Sequence, residues 1–129
     1  MVFKSNGKFL LTGEYLVLKG ATALALPLKK GQSLDVEILD SNDGLIHWDA
    51  FYKSTAQVQS SEFRVLSSNY HWFSAVLNKS DFSVRSTDDK EKAERLSDIL
   101  SKAKSLNGNI FTESHDYRFT TLLDFDPQW

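Results

Sequence analysis

From residue 33 to residue 53 the chain alternates. Leu34, Val36 and Ile38 fall on one side of an extended backbone, with Asp35 and Glu37 on the other. After Ser41-Asn42-Asp43-Gly44 the pattern resumes: Ile46, Trp48, Ala50 and Tyr52 share one side, His47, Asp49 and Phe51 the other. A period of two marks a half-buried strand, and the Ser-Asn-Asp-Gly stretch is turn chemistry. The two segments, Ser33–Asp40 and Leu45–Lys53, therefore read as a β-hairpin. This pair commits the chain to a sheet.

The rest of the first 85 residues is also mostly strand-like. Phe9-Leu10-Leu11 and Tyr15-Leu16-Val17-Leu18 are short apolar runs separated by Thr12-Gly13-Glu14, and Lys19-Gly20 marks a turn. Ala21 to Leu28 is a third run, closed by Pro27 and Lys29-Lys30-Gly31. Phe63 and Val65 suggest a further strand, with an irregular end near Ser67-Ser68-Asn69. Tyr70 to Leu77 is apolar without a clean period and stays unassigned.

Residues 88 to 107 change period. Ala93, Leu96, Ile99, Leu100, Ala103 and Leu106 recur every three or four residues and make one helical stripe. Thr87 is placed as the N-cap, with Asp88, Asp89 and Glu91 where the helix dipole favours negative charge. Asn107-Gly108 is expected to supply a left-handed stop. The charge run Lys90 to Glu94 is the helix's solvated face. From His115 to Phe125 alternation returns, with Tyr117, Phe119, Thr121, Leu123 and Phe125 in phase, and predicts a last strand. Strands followed by a helix and a strand make an α+β chain of one domain over residues 1–129, the usual size for a single domain.

Composition narrows the function classes. The chain holds 9 Phe, 4 Tyr and 3 Trp, enough apolar surface for a packed core. Cysteine is absent, which excludes disulfides, thiolate metal sites and a cysteine nucleophile. A net charge of −2 argues against a broad grip on nucleic acid or an anionic membrane. No N-terminal apolar core of ~7–15 residues and no run near the ~20 residues of a membrane span is present, so the expected location is the cytoplasm. His47, His71 and His115 have no partner at metal-ligand spacing. Trp48, Trp72 and Trp129 could stack on a ligand, but packing is the simpler role for each.

The segment from Ser5 to Pro27 stands apart. Its glycines fall at 7, 13 and 20, followed by Lys8, Glu14 and Ala21. One reading is a pair of hairpin turns that happen to carry a lysine and a glutamate. The other is a charged pair held by glycine-shaped backbone at the end of a sheet. There the lysine could hold a phosphate, and the glutamate could orient a substrate hydroxyl or a metal-bound water.

The run Ser5-Asn6-Gly7-Lys8-Phe9-Leu10-Leu11-Thr12-Gly13-Glu14-Tyr15, continued through Gly20 to Pro27, resembles the first motif of the GHMP kinases. That group is named for galactokinase, homoserine kinase, mevalonate kinase and phosphomevalonate kinase. Tyr15 stands where much of the family has histidine, which is more like the phosphomevalonate kinase branch. Ser5-Asn6 stands where it has Ala-Pro, which resembles the bacterial GYDIA-type branch. The resemblance implies a fold like the second domain of ribosomal protein S5, a mixed sheet with helices on one face. It implies transfer of the γ-phosphoryl group of ATP, with Mg²⁺, to an alcohol or phosphate monoester such as mevalonate or phosphomevalonate. It carries over Lys8 as a catalytic residue near the transferred phosphate, and Glu14 and Tyr15 as residues beside the acceptor.

The family's glycine-rich ATP loop, P-x-x-x-G-L-G-S-S, does not occur in these 129 residues, nor do its later motifs. The expectation is therefore a truncated, N-terminal portion of a kinase. It lacks the phosphate cradle and the C-terminal domain, is inactive by itself, and binds no cofactor of its own. A sheet cut in this way is expected to expose an edge through which chains could self-associate. The competing expectation is a non-catalytic binding or protein-interaction module with an S5-like fold. Nucleic acid would be the natural ligand of such a module, but the charge disfavours it.

Overall fold

The computed structural model describes residues 1–12, 19–20, 22–55, 67–108, 111 and 114–125. Six strands and one helix follow in the order β1 (Val2–Thr12), β2 (Leu24–Leu39), β3 (Leu45–Thr55), β4 (Ser67–Asn78), β5 (Val84–Thr87), α1 (Lys90–Leu106) and β6 (Asp116–Leu123). The strands form one sheet in the spatial order β1-β2-β6-β3-β4-β5. All neighbours are antiparallel except β6 and β3, which run parallel. The fold is thus α+β with a mixed sheet. The helix connects β5 to β6, two strands that run the same way with β4 and β3 between them.

The alternation of residues 33–53 chooses faces as expected, but the hairpin is not closed. β6 lies between its two arms. Ile38 is opposite Tyr117, which is opposite Ile46; Val36, Phe119 and Trp48 form the next row, and Leu34, Thr121 and Ala50 the one after. The sequence signals the turn and both strands correctly. It is blind to a strand that arrives about 70 residues later and takes the inner hydrogen bonds of both. Asp116 explains how the turn tolerates this. Its carboxylate is fully buried and accepts hydrogen bonds from Leu45 N–H (2.8 Å), Asp43 N–H (2.9 Å) and Ser41 Oγ–H (2.8 Å). The turn's donors thereby find partners at the head of β6 rather than across a closed hairpin. Burial alone would raise the Asp116 pKa. These hydrogen bonds, led by that from Leu45, outweigh it and hold the pKa at about 2.

The core fills one face. Ile46 and Ala50 of β3, Phe73, Ala75 and Leu77 of β4, and Tyr117 and Phe119 of β6 meet Ala93, Leu96 and Leu100 of α1, with Phe82 from the β4–β5 turn. Trp48 stacks on Phe119 at 5.1 Å, and Phe111 packs against Phe82, Tyr117 and Phe119. Tyr70 to Leu77, which the sequence leaves unassigned, is regular strand: β4 carries buried Phe73, Ala75 and Leu77 at alternate positions. Its irregularity is a bulge at Trp72, since Ala50 pairs with Phe73 and Phe51 with His71. An extra residue in one strand shifts the phase, which is why no clean period is legible there.

The helix starts two residues later than expected. Asp89, not Thr87, is the N-cap and accepts Lys92 N–H at 3.1 Å. Thr87 turns its hydroxyl to Ser74 O and to Asp89 N–H, tying the helix start to β4. The expected left-handed stop is not used: Asn107 is extended at φ −142°, and the described glycines at positive φ are Gly20 and Gly44. Of the apolar stripe, Ala93, Leu96 and Leu100 are buried, whereas Ile99 and Leu106 face solvent. The second strand also runs on through Pro27 and Lys29-Lys30-Gly31, where the sequence predicts an end. β6 pairs with β2 only from Gln32 onward, so Pro27 lies where β2 has no β6 partner and its missing N–H costs nothing on that side. The strand suggested by Phe63 and Val65 lies outside the described residues. Among the described residues no helix is long and apolar enough to cross a membrane.

Candidate functional site

The Ser5–Lys8 stretch sits in β1, at the end of the sheet where β6 finishes. Its backbone is set by two glycines. Asn6 pairs with Gly31 but Lys8 pairs with Pro27, so Leu28, Lys29 and Lys30 bulge opposite Gly7. A Cβ on Gly7 would lie 3.2 Å from Lys30 O and 3.3 Å from the Leu28 side chain. On Gly31 it would lie 2.2 Å from Ser5 O and 2.9 Å from Asn6 Cα, which no side chain can occupy. The two strands can press together here because neither residue has a side chain.

Beside this approach is an open cleft of about 150 Å³. Ser5, Asn6 and Gly7 of β1, Gly31 and Gln32 of β2, Leu123 at the end of β6 and Phe125 beyond it form its walls. The same end of the sheet gathers cations. Lys30 Nζ donates to Asp124 O at 2.9 Å, and Lys53 Nζ to Asp124 Oδ1 at 2.7 Å. Asp124 N–H in turn donates to Gly31 O at 2.9 Å. Lys8 follows directly on the bulge, is exposed, and makes no ion pair among the described residues. Lys53 is neutralised by Asp124, which leaves Lys8 and Lys30 as the positive charge at this end of the sheet, beside tightly packed backbone, that suits an anionic group.

The charged pair expected of Lys8 and Glu14 is half visible: Lys8 is placed, while Glu14 and Tyr15 lie outside the described residues. Sequence reading missed Gly31, Lys30, Lys53 and Asp124. In the sequence Gly31 reads as the end of a strand, whereas in the structure it is a glycine inside a strand, which marks close backbone approach. Lys53 and Asp124 are 71 residues apart and meet only because β3 and β6 are parallel neighbours.

The histidines are dispersed. His47 is opposite Val76 and Arg118 on the face away from the helix. His71 Nδ1 is 3.6 Å from Asp88 Oδ2, and Asp88 also accepts Ser74 N–H at 2.8 Å. Serine, histidine and aspartate meet here, but the carboxylate stands between the other two, so the imidazole cannot relay a proton from the hydroxyl. Among the described residues the buried Nδ1 of His115 has no hydrogen-bond partner. Among the described residues no three potential ligands converge on a metal position. Trp48 is partly buried against the core, Trp72 is exposed with Lys92 over its ring, and Trp129 lies outside the described residues.

Comparison with family models, with curated proteins and with solved structures gives no match.

Proposed function

We propose that the chain is the N-terminal portion of an ATP-dependent small-molecule kinase of the GHMP type, acting in the cytoplasm, with an S5-like fold. The observation that carries this reading is the close approach of Gly7 and Gly31 beside the Leu28–Lys30 bulge, with Lys8 directly after Gly7. The two backbones are so close that a Cβ at Gly31 would force them apart, and Lys8 makes no ion pair among the described residues. Phosphoryl transfer asks a protein mainly for positioning and charge stabilisation, and these residues suit that task. ATP, when bound, supplies the transferred phosphoryl group. Lys8 is assigned as the catalytic residue near that transferred phosphate, while the cradle for the rest of ATP belongs to a glycine-rich loop that these 129 residues do not contain. Glu14 and Tyr15 are assigned to the acceptor, an alcohol or phosphate monoester such as mevalonate or phosphomevalonate. Among the described residues no three potential ligands gather into a Mg²⁺ site.

The test uses a protein that contains this chain together with a glycine-rich phosphate loop. Acceptor-dependent ATP turnover is expected there. Lys8→Ala should lower kcat by roughly a hundredfold or more, the scale of losing one charge-stabilising contact. The 129-residue chain by itself should show no turnover. Turnover untouched by Lys8→Ala overturns the assignment.

A second reading, an interaction module, is favoured by a different observation. Phe9, Leu11, Leu24, Leu26 and Leu28 are exposed together on the β1–β2 ribbon. Self-association through this ribbon and the outer edge of β1 would bury them. Sedimentation over a hundredfold concentration range decides it: a constant monomer mass removes the reading.

A further inference from the structure

β6 divides a hairpin without disturbing its register. Reading across the sheet, Ile38 meets Ile46 through Tyr117, Val36 meets Trp48 through Phe119, Leu34 meets Ala50 through Thr121, and Gln32 meets Tyr52 through Leu123. In each row the two outer residue numbers have the same sum. That is the condition for direct antiparallel pairing, so removing β6 would bring the same partners face to face. Apolar residues would still point to the helix side. The connection from Asp40 to Gly44 suits a closed hairpin, with Gly44 at φ +73° supplying the left-handed residue such loops use.

We propose that β2 and β3 form a latent hairpin into which β6 inserts, and that Asp116 is the latch that holds it open. Asp116 acts at the point where the arms diverge. Its N–H donates to Ser41 O at 2.9 Å, and its carboxylate takes the donors of Ser41, Asp43 and Leu45. The seated state has a second support. Direct pairing would set Asp35 opposite Asp49, and like charges face to face disfavour a sheet pair. With β6 in place, Thr120 stands between them. Local pairing precedes distant pairing in folding, so the hairpin closes first and β6 opens it. The device is independent of any kinase chemistry, and its test reads none.

The chain has no cysteine, so an introduced pair reports alone. Glu37 and His47 flank Arg118 on the face away from the helix. With β6 seated their Cα atoms are two strand spacings apart, about 10 Å. A disulfide needs less than about 7 Å. In the closed hairpin they are direct partners. The experiment measures oxidation of Glu37→Cys/His47→Cys in the full chain, with and without Asp116→Asn. Glu37→Cys/Asp88→Cys serves as a pair that neither state brings together. The expected result is slow bridging of 37 with 47, accelerated at least tenfold by Asp116→Asn. A synthetic peptide of residues 114–125, added in excess, should reverse the acceleration. No bridging in either background overturns the proposal. So does equal acceleration of the 37/88 pair, which would report general unfolding, and so does a rate the peptide leaves unchanged.

Discussion

The sheet has two halves made of the same kinds of residue and kept in opposite surroundings. Around β3, β4 and β6, Ile46 and Leu77 have no exposed surface and Phe82 is 1% exposed. Along the β1–β2 ribbon, Phe9 is 56% exposed and Leu24 55%. Both halves read as apolar runs. What differs is the cover. Helix α1 lays Ala93, Leu96 and Leu100 over the first half, and Phe111 bridges to Tyr117 and Phe119. Among the described residues nothing comparable covers Leu24 to Leu28. Alternation in a sequence states which way a side chain points. Whether another layer meets it is decided by elements far away in the chain.

Substitutions can break this contrast, and urea unfolding measures each. The largest effect is expected at Phe82. It is fully buried against Phe111, and Lys104 sits over its ring. Truncation to alanine should cost about 3–5 kcal/mol, the range for emptying a buried aromatic site. Phe82 also holds φ +59°, a conformation a bulky residue rarely adopts. Burial of the ring offsets the cost of that backbone.

Asp116 comes next and is read by pH. Its pKa of about 2 in the fold lies below the ordinary carboxylate value. A depressed folded pKa gives stability that is complete above the unfolded pKa, near 4, and is lost as pH falls through the folded one. Between about pH 4 and pH 2 the loss should approach ~2 kcal/mol. Asp116→Asn should lower stability at neutral pH and flatten this acid limb. A limb of unchanged depth in the variant would assign it to other carboxylates.

Gly31→Ala probes the join between the halves. With the new Cβ driven onto Ser5 O, β1 must shift, at about 1–3 kcal/mol by analogy with overpacked cores. Hydrogen exchange should localise the loss to β1 and the facing stretch of β2 and leave β3 and β4 protected. The smallest effect sharpens the comparison from the exposed side. Phe9→Ala should change stability by less than about 1 kcal/mol, since half its surface is already in water. A cost comparable with that of Phe82 would show that the ribbon is covered in solution.

Much of the fold was legible because its signals are local. The faces of β2 and β3, the turn at Ser41–Gly44, the span of α1 within two residues and the strand ending near Leu123 all follow from period and capping chemistry. The insertion of β6 was not legible, since its evidence is the pairing of residues about 70 to 90 positions apart. Nor was the bulge at Trp72, where one extra residue erases the period that would announce the strand. The candidate site divides in the same way. Gly7-Lys8 is a contiguous signal. The lysine pair around Asp124 exists only once β2, β6 and β3 lie side by side.

The central position of β6 has a mechanical consequence. β1 and β6 point in the same direction, each antiparallel to β2 between them. A pull on the Met1 end of β1 against the Leu123 end of β6 therefore slides these three strands lengthwise past one another. Sheet hydrogen bonds run across the strands, so such a load falls on the whole ladder together rather than on one rung at a time. Drawn by those two ends, the molecule resists in shear. Pulled outward at the β1 edge alone, it would peel.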